Sequence, residues 1–328
     1  MQGDAAEQAE STGGPPAAGA RAGASGPDRK PRRGPLARVA HHSSLVLEKR
    51  VAGMGATGVL LRLWAWQLWR RTVRRTVIIR CAEGSLLVSP SWSRATASIA
   101  GTGLTERDDA LFAIDLLRAG DLFVDVGANV GFYTMLAARR GARVEAFEPT
   151  PEACAVVERG IALNAIGSLA TVHRAACGSE AGTARFSTGL DISNHLLSGE
   201  EPGIEVRVVT LDSELADSAP ALAMLKVDAE GHDLDVLRGA LETIARLLPV
   251  ILVEIWTGGA GPLALVEPYG YRPFAYDPAA RTLDEIRPGE RQGGNMLLIA
   301  EAQLQAVRER VRAAQRPPLS APAIKWLV

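Results

Sequence analysis

The sequence predicts a doubly wound α/β domain built on a mostly parallel sheet. Strand and helix patterns alternate between residues 122 and 255, which is typical of parallel strands linked by helices. The apolar runs 122–124 and 250–253 are unbroken, as expected for strands that are covered on both faces. With 328 residues, of which 47% are hydrophobic, the chain can bury a substantial core.

Each element is predicted from its hydrophobic period and its flanking residues. The predicted strands are 76–80, 86–88, 122–126, 143–147, 171–175, 223–227, 250–255 and 296–300, the last near the end of the domain. The predicted helices lie within 44–77 and over 106–118, 131–139, 151–164 and 233–247. Glu83 and Gly84 predict a hairpin between the first two strands, and Gly120 is expected to end the helix over 106–118.

The chain divides into four predicted regions. Residues 1–36 are rich in Ala, Gly, Pro and Ser and are predicted to be disordered, because they have too few large apolar side chains to offset the entropy of ordering. Residues 37–105 are a helix and hairpin region, residues 106–302 the main α/β domain, and residues 303–328 a C-terminal helix and tail.

The helix within 44–77 has two interpretations. The stretch 51–69 is near the length of a membrane span, but Arg62 and three glycines within it argue against one. It is either a helix packed on the catalytic domain or, with the arginines that follow, a basic amphipathic helix on an anionic membrane surface. The second interpretation places a peripheral membrane contact within residues 44–75.

Charge and cysteine content exclude several classes of protein. The formal net charge is −1, which gives no general case for nucleic acid binding. Cys81, Cys154 and Cys177 are far apart and odd in number, so neither a disulfide framework nor a zinc site is expected. No apolar stretch follows Met1 closely, so a secretory signal peptide is not expected. We expect a cytoplasmic protein.

The first candidate site is the turn after the strand 122–126. Gly127 and Gly131 allow a tight turn and a close approach of the backbone to a ligand. Asp125 lies two residues before Gly127 and would repel the pyrophosphate of a dinucleotide. S-adenosylmethionine has no phosphate and carries two cationic groups, so the acid favours it over NAD.

The second candidate is Glu148, which ends the next strand 17 positions after Gly131. An acid at about this distance accepts hydrogen bonds from the ribose hydroxyls of a bound nucleoside. Pro149 stops the strand and fixes the turn.

The third candidate is the run from Lys226 to His232, where four ionisable side chains crowd the end of an apolar strand. Burying them without a function would be costly. Asp228, Glu230 and His232 are candidate catalytic residues, with His232 or Glu230 as the general base. The alternative is a capping and salt-bridge cluster that holds the turn. Asp228 and Glu230 could also ligate Mg²⁺, and we leave the metal unassigned.

Other polar residues are weaker candidates. Glu254 ends the strand 250–255 and is expected to face the same cleft. Asn194 and His195 belong to an insertion that could close over a substrate, although a loop histidine is more often solvated. Cys177 is expected to be a small packing residue.

Several runs, in this order, carry a family resemblance. They are DLFVDVGANVGFYT at 121–134, AFEP at 146–149 and LKVDAEGHDLDVLRGA at 225–240, with looser matches VTLD at 209–212, ILVEIW at 251–256 and NMLLI at 295–299. The chain resembles the FkbM-like S-adenosylmethionine-dependent methyltransferases over roughly residues 76–300.

The resemblance implies the class I methyltransferase (Rossmann-like) fold, a seven-stranded sheet with an antiparallel last strand. It implies S-adenosyl-L-methionine as cofactor and O-methylation of a sugar or secondary metabolite. The predicted cofactor-binding residues are Asp125, Gly127, Ala128, Asn129, Gly131, Glu148 and Pro149. Three alternatives stay open: an inactive methyltransferase-like binding protein, a nicotinamide-dependent oxidoreductase, and an N-methyltransferase.

Overall fold

The computed structural model describes residues 56–73, 75–90, 93, 96–187, 203–216, 222–255, 261–287, 294–316 and 323–326. The predictions for residues 1–36 and for Asn194 and His195 lie outside these described residues.

Ten α-helices and fourteen strands lie within the described residues, together with two short 3₁₀ helices. The helices are α1 (Ala56–Thr72), α2 (Thr96–Thr102), α3 (Arg107–Leu116), α4 (Phe132–Arg139), α5 (Pro151–Asn164), α6 (Leu211–Glu214), α7 (Asp233–Arg238), α8 (Leu241–Leu247), α9 (Gly261–Val266) and α10 (Glu301–Arg312). The strands are β1 (Val77–Arg80), β2 (Leu86–Ser89), β3 (Leu122–Val126), β4 (Arg143–Phe147), β5 (Ala170–His173), β6 (Ala176–Cys177), β7 (Gly182–Ser187), β8 (Gly203–Val209), β9 (Leu222–Val227), β10 (Val250–Glu254), β11 (Tyr271–Asp277), β12 (Thr282–Glu285), β13 (Asn295–Ala300) and β14 (Ala323–Trp326).

The main sheet has eight strands in the order β12-β11-β13-β10-β9-β3-β4-β5. Strands β10, β9, β3, β4 and β5 pair in parallel, whereas β13 is antiparallel to both of its neighbours. This order confirms the class I methyltransferase fold with a reversed late strand. The sheet exceeds the expected seven strands because β12 adds an antiparallel strand at the edge beside β11.

The sheet is covered on both faces. Phe123, Val144 and Leu252 belong to one apolar cluster, whereas Val124 and Ile251 belong to the other. Adjacent residues of a strand point to opposite faces. Each face of the sheet therefore packs against its own apolar cluster, which explains why the apolar runs of these strands are unbroken. The order of connection reverses between β3 and β9, which places a crevice at the carboxyl ends of these two strands.

Two small sheets flank the main one. The predicted hairpin is confirmed as β1 and β2, and β1 also pairs with β14 near the C-terminal end of the described chain. The strand predicted over 296–300 is confirmed as β13, the last strand of the main sheet in chain order, and β14 follows it in a separate sheet. The predicted strand 171–175 ends at His173, and the next short strand, β6, pairs with β8 in another sheet.

The predicted helix over 233–247 is two helices. The break falls at Gly239, where a Cβ atom would lie 2.0 Å from the carbonyl oxygen of Gly178. The helix predicted over 106–118 ends at Leu116, and Gly120 lies in the following turn. Packing against Gly178 sets the break at Gly239, and the turn that contains Gly120 follows the end of α3. The local sequence pattern does not reveal either boundary.

Helix α1 packs on the rest of the domain through Leu63, Trp66 and Trp69, which are buried. In the part of the chain that the structure describes, we find no helix with the length and apolar character needed to cross a membrane.

Candidate active site

The turn between β3 and α4 is built on left-handed backbone conformations. The φ angles are +75° at Gly127, +53° at Asn129 and +80° at Gly131. The amides of Gly127 and Ala128 both donate to the carbonyl of Phe147, at 3.0 and 3.2 Å. Glycine is favoured at two of these positions because a side chain adds strain when φ is positive.

Gly127 also allows the turn to approach the loop that follows β9. A Cβ atom at Gly127 would lie 2.0 Å from the backbone oxygen of Asp228. The amide of Asp228 donates to the carbonyl of Val126 at 3.1 Å. Close approach is therefore required at Gly127, and the group that it approaches in the structure is another loop of the chain, whereas the predicted approach to a ligand stays a prediction.

Asp125 lies buried at the end of β3. Its Oδ2 accepts a hydrogen bond from Oγ1 of Thr134 at 2.7 Å, while its Oδ1 has no hydrogen-bond partner among the described residues. Burial raises the pKa of this carboxyl group, and the positive charge of Lys226 and the bond from Thr134 oppose that rise. A buried carboxylate oxygen without a donor is a site where a ligand can supply one.

Glu148 joins two loops at the carboxyl edge of the sheet. Its Oε2 accepts from the amide of Asn129 at 3.0 Å, and its Oε1 accepts from the amide and hydroxyl of Thr150 at 3.0 and 2.6 Å. Burial raises the pKa of Glu148, and these hydrogen bonds oppose the rise. The carboxylate therefore holds the turn after β3 in place. This structural role was not predicted; the sequence predicted only a contact with ribose. Pro149 lies between Glu148 and Thr150.

Lys226 is buried at the end of β9. Its Nζ donates to Oδ2 of Asp228 at 3.2 Å and lies 5.1 Å from the centroid of the Tyr133 ring. Burial alone would lower the pKa of this amine, but Asp228, Asp125 and Glu106 together raise it above its usual value. Lys226 is therefore a buried cation that neighbouring carboxylates stabilise.

The loop after β9 is held by Asp233, the first residue of α7. Its Oδ1 accepts from the amide of Ala229 at 2.8 Å, and its Oδ2 accepts from that of Gly231 at 3.2 Å. Within the loop, Glu230 and Gly231 have φ angles of +48° and +98°. Burial raises the pKa of Asp233 to about 6 although both amides lower it. Asp233 was missed as a site residue, although an acid at a helix start after a glycine is a known capping signal.

The three predicted catalytic residues occupy different environments. Asp228, Glu230 and Glu254 are partly buried, and one carboxylate oxygen of each lies within 4.8 Å of the others. Such a group could hold a divalent cation, but acidic groups of this kind are common without one, and we assign no metal. His232 has its Nδ1 3.6 Å from Oδ2 of Asp235, and its buried Nε2 has no hydrogen-bond partner among the described residues.

A second polar group adjoins Lys226 and was not predicted. The hydroxyl of Tyr133 donates to Oε2 of Glu106 at 2.9 Å, and Nδ2 of Asn295 donates to Oδ2 of Asp109 at 3.0 Å. Burial, followed by the charge of Glu106, raises the pKa of Asp109 to about 7, while Asn295 and Lys226 lower it. Acidic residues are common in the first turn of a helix, so the sequence gives no reason to single out Asp109. Its contact with Asn295 becomes visible only in the folded structure.

Cys177 packs in the apolar core, as predicted, and burial raises the pKa of its thiol. Cys81 and Cys154 are also free and buried.

The strand order is that of the class I methyltransferase fold, and the acid-and-glycine turn lies where the order of connection reverses, between β3 and β9. Residues 125–267 match the family model for the methyltransferase FkbM domain. The match covers less than half of the chain and includes the turn after β3, Glu148 and the loop after β9.

Two similar proteins are named as methyltransferases. Methyltransferase sdnD of Sordaria araneosa is 28% identical over 203 residues, which are 50% of this chain and 74% of that protein. The hexuronic acid methyltransferase AglP of Haloferax volcanii is 29% identical over 159 residues, 47% of this chain. The match spans 63% of the length of AglP.

Solved structures with similar folds are distant in sequence. The methyltransferase FkbM of Methylobacillus flagellatus is 17% identical with a TM-score of 0.40, and the match covers 73% of this chain and 59% of that one. SMU.1697c of Streptococcus mutans, solved in complex with SAH, is 9% identical with a TM-score of 0.35, over 60% and 97% of the two chains.

Proposed function

We propose that the chain is an S-adenosylmethionine-dependent methyltransferase that methylates a hydroxyl group of a sugar or secondary metabolite. The FkbM domain supports the reaction class. The name of AglP, a hexuronic acid methyltransferase, supports a sugar as the acceptor to test first. The free, buried cysteines support the cytoplasmic location that we propose.

One observation carries the choice of cofactor. Glu106, Asp109, Asp125 and Asp228 all interact electrostatically with Lys226. When these four groups are ionised, their charge exceeds that of Lys226. Among the residues that the structure describes, none donates a hydrogen bond to the buried Oδ1 of Asp125. This environment favours a cationic ligand and disfavours a pyrophosphate.

S-adenosylmethionine would supply a methyl group activated by a positive sulfur. The residues proposed to hold it are Asp125, Gly127, Ala128, Asn129, Gly131, Glu148 and Pro149. Their part is to bind and orient the cofactor, since most of the rate gain in a methyl transfer comes from positioning.

The acceptor hydroxyl must lose a proton as it is methylated. Asp228, Glu230 and His232 remain candidate proton acceptors. We add Asp109 to them, because it is hydrogen-bonded to Asn295, which lies opposite Glu254 at the same edge of the sheet. Its pKa of about 7 is also near the value at which a base is most effective at neutral pH. Asp228 is less suited, since it is ion-paired with Lys226 at 3.2 Å.

The cofactor is tested by isothermal titration of the full chain with S-adenosylmethionine, S-adenosylhomocysteine and NAD. We expect the first two to bind and NAD not to. We expect Asp125→Asn to weaken binding about tenfold or more, equivalent to about 1.4 kcal/mol. Asp108→Asn, at an exposed side chain, is the control and should bind as the wild type does. Selective binding of NAD would replace this proposal with the oxidoreductase alternative.

The reaction is tested with a methyl-labelled cofactor and a panel of hexuronic acids, neutral sugars and amines. We expect label in a sugar, and magnetic resonance of the product should place the methyl on an ether oxygen. Cofactor binding without transfer to any acceptor would favour the inactive binding protein, and label on an amine would favour an N-methyltransferase.

A further inference from the structure

Helix α1 has apolar side chains on two opposite sides. Leu63, Trp66 and Trp69 lie buried against the domain. Leu61 and Trp64, by contrast, are 63% and 66% exposed. A helix that only packs on a domain needs one apolar side, so the second side requires its own explanation.

The buried side fixes the orientation of the helix. Leu63 packs over Gly101 of α2, where an added Cβ would lie 2.9 Å from Leu63 Cδ2. The rings of Trp66 and Trp69 lie with their centroids 4.9 Å apart. Nε of Arg62 donates to the carbonyl of Ala100 at 3.3 Å. The helix is therefore held on α2 by one side, and its opposite side faces outward.

The outer side is continuous along the helix. Leu61, Trp64 and Leu68 are spaced by three and four residues, so they lie on one side of the helix. Leu68 is 48% exposed. Arg71, which is exposed, is seven residues after Trp64 and continues the same side. Exposed apolar residues are ordinary when single, but a contiguous patch is typical of an interaction surface.

The charge of this segment is one-sided. Residues 56–75 contain five arginines and no acidic residue, whereas the whole chain has a net charge of −1. Arg71, in the last turn of the helix, and Arg75, three residues beyond its end, are both exposed. A partner that accepts both the apolar side and these guanidinium groups must combine an apolar interior with a negatively charged surface.

We propose that the outer side of α1, formed by Leu61, Trp64 and Leu68, binds the surface of an anionic lipid bilayer. The helix lies along the membrane, its apolar side chains enter the boundary between headgroups and acyl chains, and Arg71 and Arg75 contact lipid phosphates. An exposed tryptophan suits this boundary because its ring is apolar while its N–H can donate to a polar group.

The test is co-sedimentation of the full chain with vesicles of phosphatidylcholine, with and without phosphatidylserine. We expect binding to the mixed vesicles, much weaker binding to the neutral ones, and release by 0.5 M salt, which shortens the range of electrostatic attraction to a few ångströms. Combined Leu61→Gln, Trp64→Gln and Leu68→Gln substitutions should weaken binding at least tenfold. Arg71→Gln with Arg75→Gln should weaken binding to the mixed vesicles alone.

The matched control is Leu163→Gln, an exposed leucine on α5, which should bind vesicles as the wild type does. All substituted side chains are exposed, so thermal unfolding should stay unchanged. The proposal fails if the wild type does not sediment, if it binds both vesicles equally, or if the triple variant binds normally. Self-association abolished by the triple variant, without vesicle binding, would assign the surface to a second copy of the chain.

Discussion

The carboxyl group of Asp109 lies in a buried, negatively charged environment that disfavours its ionised form. Burial and the charges of Glu106 and Asp108 raise its pKa from 3.8 to about 7, while Asn295 and Lys226 act in the opposite direction. In the unfolded chain the same group ionises near pH 4. Between these values the native state holds a proton that the unfolded state has lost, so Asp109 makes folding less favourable as pH rises from 4 to 7.

We therefore expect Asp109→Asn to stabilise the protein and to reduce its activity. The amide can still accept from Asn295 but has no charge to bury, so at pH 8 the free energy of unfolding should rise by about 1–3 kcal/mol. The gain should vanish near pH 4. If Asp109 accepts the proton, turnover should fall by roughly a hundredfold or more. Denaturant unfolding at several pH values and methyl-transfer rates measure both effects.

The control for this pair of effects is Asp284→Asn, at an exposed side chain on β12. It should change neither stability nor turnover by a measurable amount. Unchanged turnover in Asp109→Asn would leave Asp228, Glu230 and His232 as the candidate bases. A loss of stability at pH 8 would contradict the electrostatic account of Asp109.

The carboxylate of Asp233 accepts hydrogen bonds from two amides of the loop after β9. We expect Asp233→Ala to leave the amides of Ala229 and Gly231 without their acceptor, at a cost of about 1–3 kcal/mol. Hydrogen exchange of these two amides should accelerate more than that of the β9 amides, because the loop opens while the strand stays paired. Asp233→Asn retains one acceptor oxygen, so its stability and its exchange rates should lie between those of the wild type and those of Asp233→Ala. Equal exchange in the alanine variant and the wild type would contradict this role.

Local patterns predict some elements well and others not at all. The turn between β3 and α4 was predicted because its strand, glycines and helix are adjacent in sequence. The break at Gly239 was not, since it arises where Gly178, distant in sequence, approaches within contact. The sequence also did not predict β6, β7, β8, β11, β12 and β14. For β14 the reason is similar, because its partner β1 lies more than 240 positions earlier.

The same distinction holds for the candidate site. Asp125, Glu148 and Lys226 stand at strand ends within the family motifs, so the sequence indicates them. Asp109 and Asn295 are 186 positions apart, and only the arrangement of α3 beside β13 brings them together. The roles of the predicted residues in binding and catalysis stay predictions until the titration and transfer experiments are done.

At the scale of the molecule, strand β14 near the C-terminus pairs with the hairpin formed by β1 and β2. Strand β14 pairs with β1 over four residues, from Val77 opposite Trp326 to Arg80 opposite Ala323. Backbone hydrogen bonds at this edge join segments that are more than 240 positions apart in sequence. They are therefore formed only when the intervening domain is folded.

Deletion of residues 317–328 should accordingly destabilise the protein. We expect a loss of roughly 2–4 kcal/mol, at about 1 kcal/mol for each backbone hydrogen bond removed. Hydrogen exchange should increase in Val77–Arg80 more than in β3. Deletion of residues 327 and 328 alone leaves the strand and serves as the control. If the longer deletion unfolds like the wild type, β14 adds no stability.

The contact of Gly127 with the backbone of Asp228 has a consequence for altering substrate range. The turn that is proposed to hold the cofactor touches the loop that carries the candidate acceptor-side groups, with no side chain between them to absorb a shift. Insertions or proline substitutions in residues 228–232 would therefore displace the cofactor turn as well. They would lower the affinity for the cofactor and the affinity for the acceptor together. Directed evolution of this enzyme should keep that loop at its present length and seek new acceptors through side-chain changes alone.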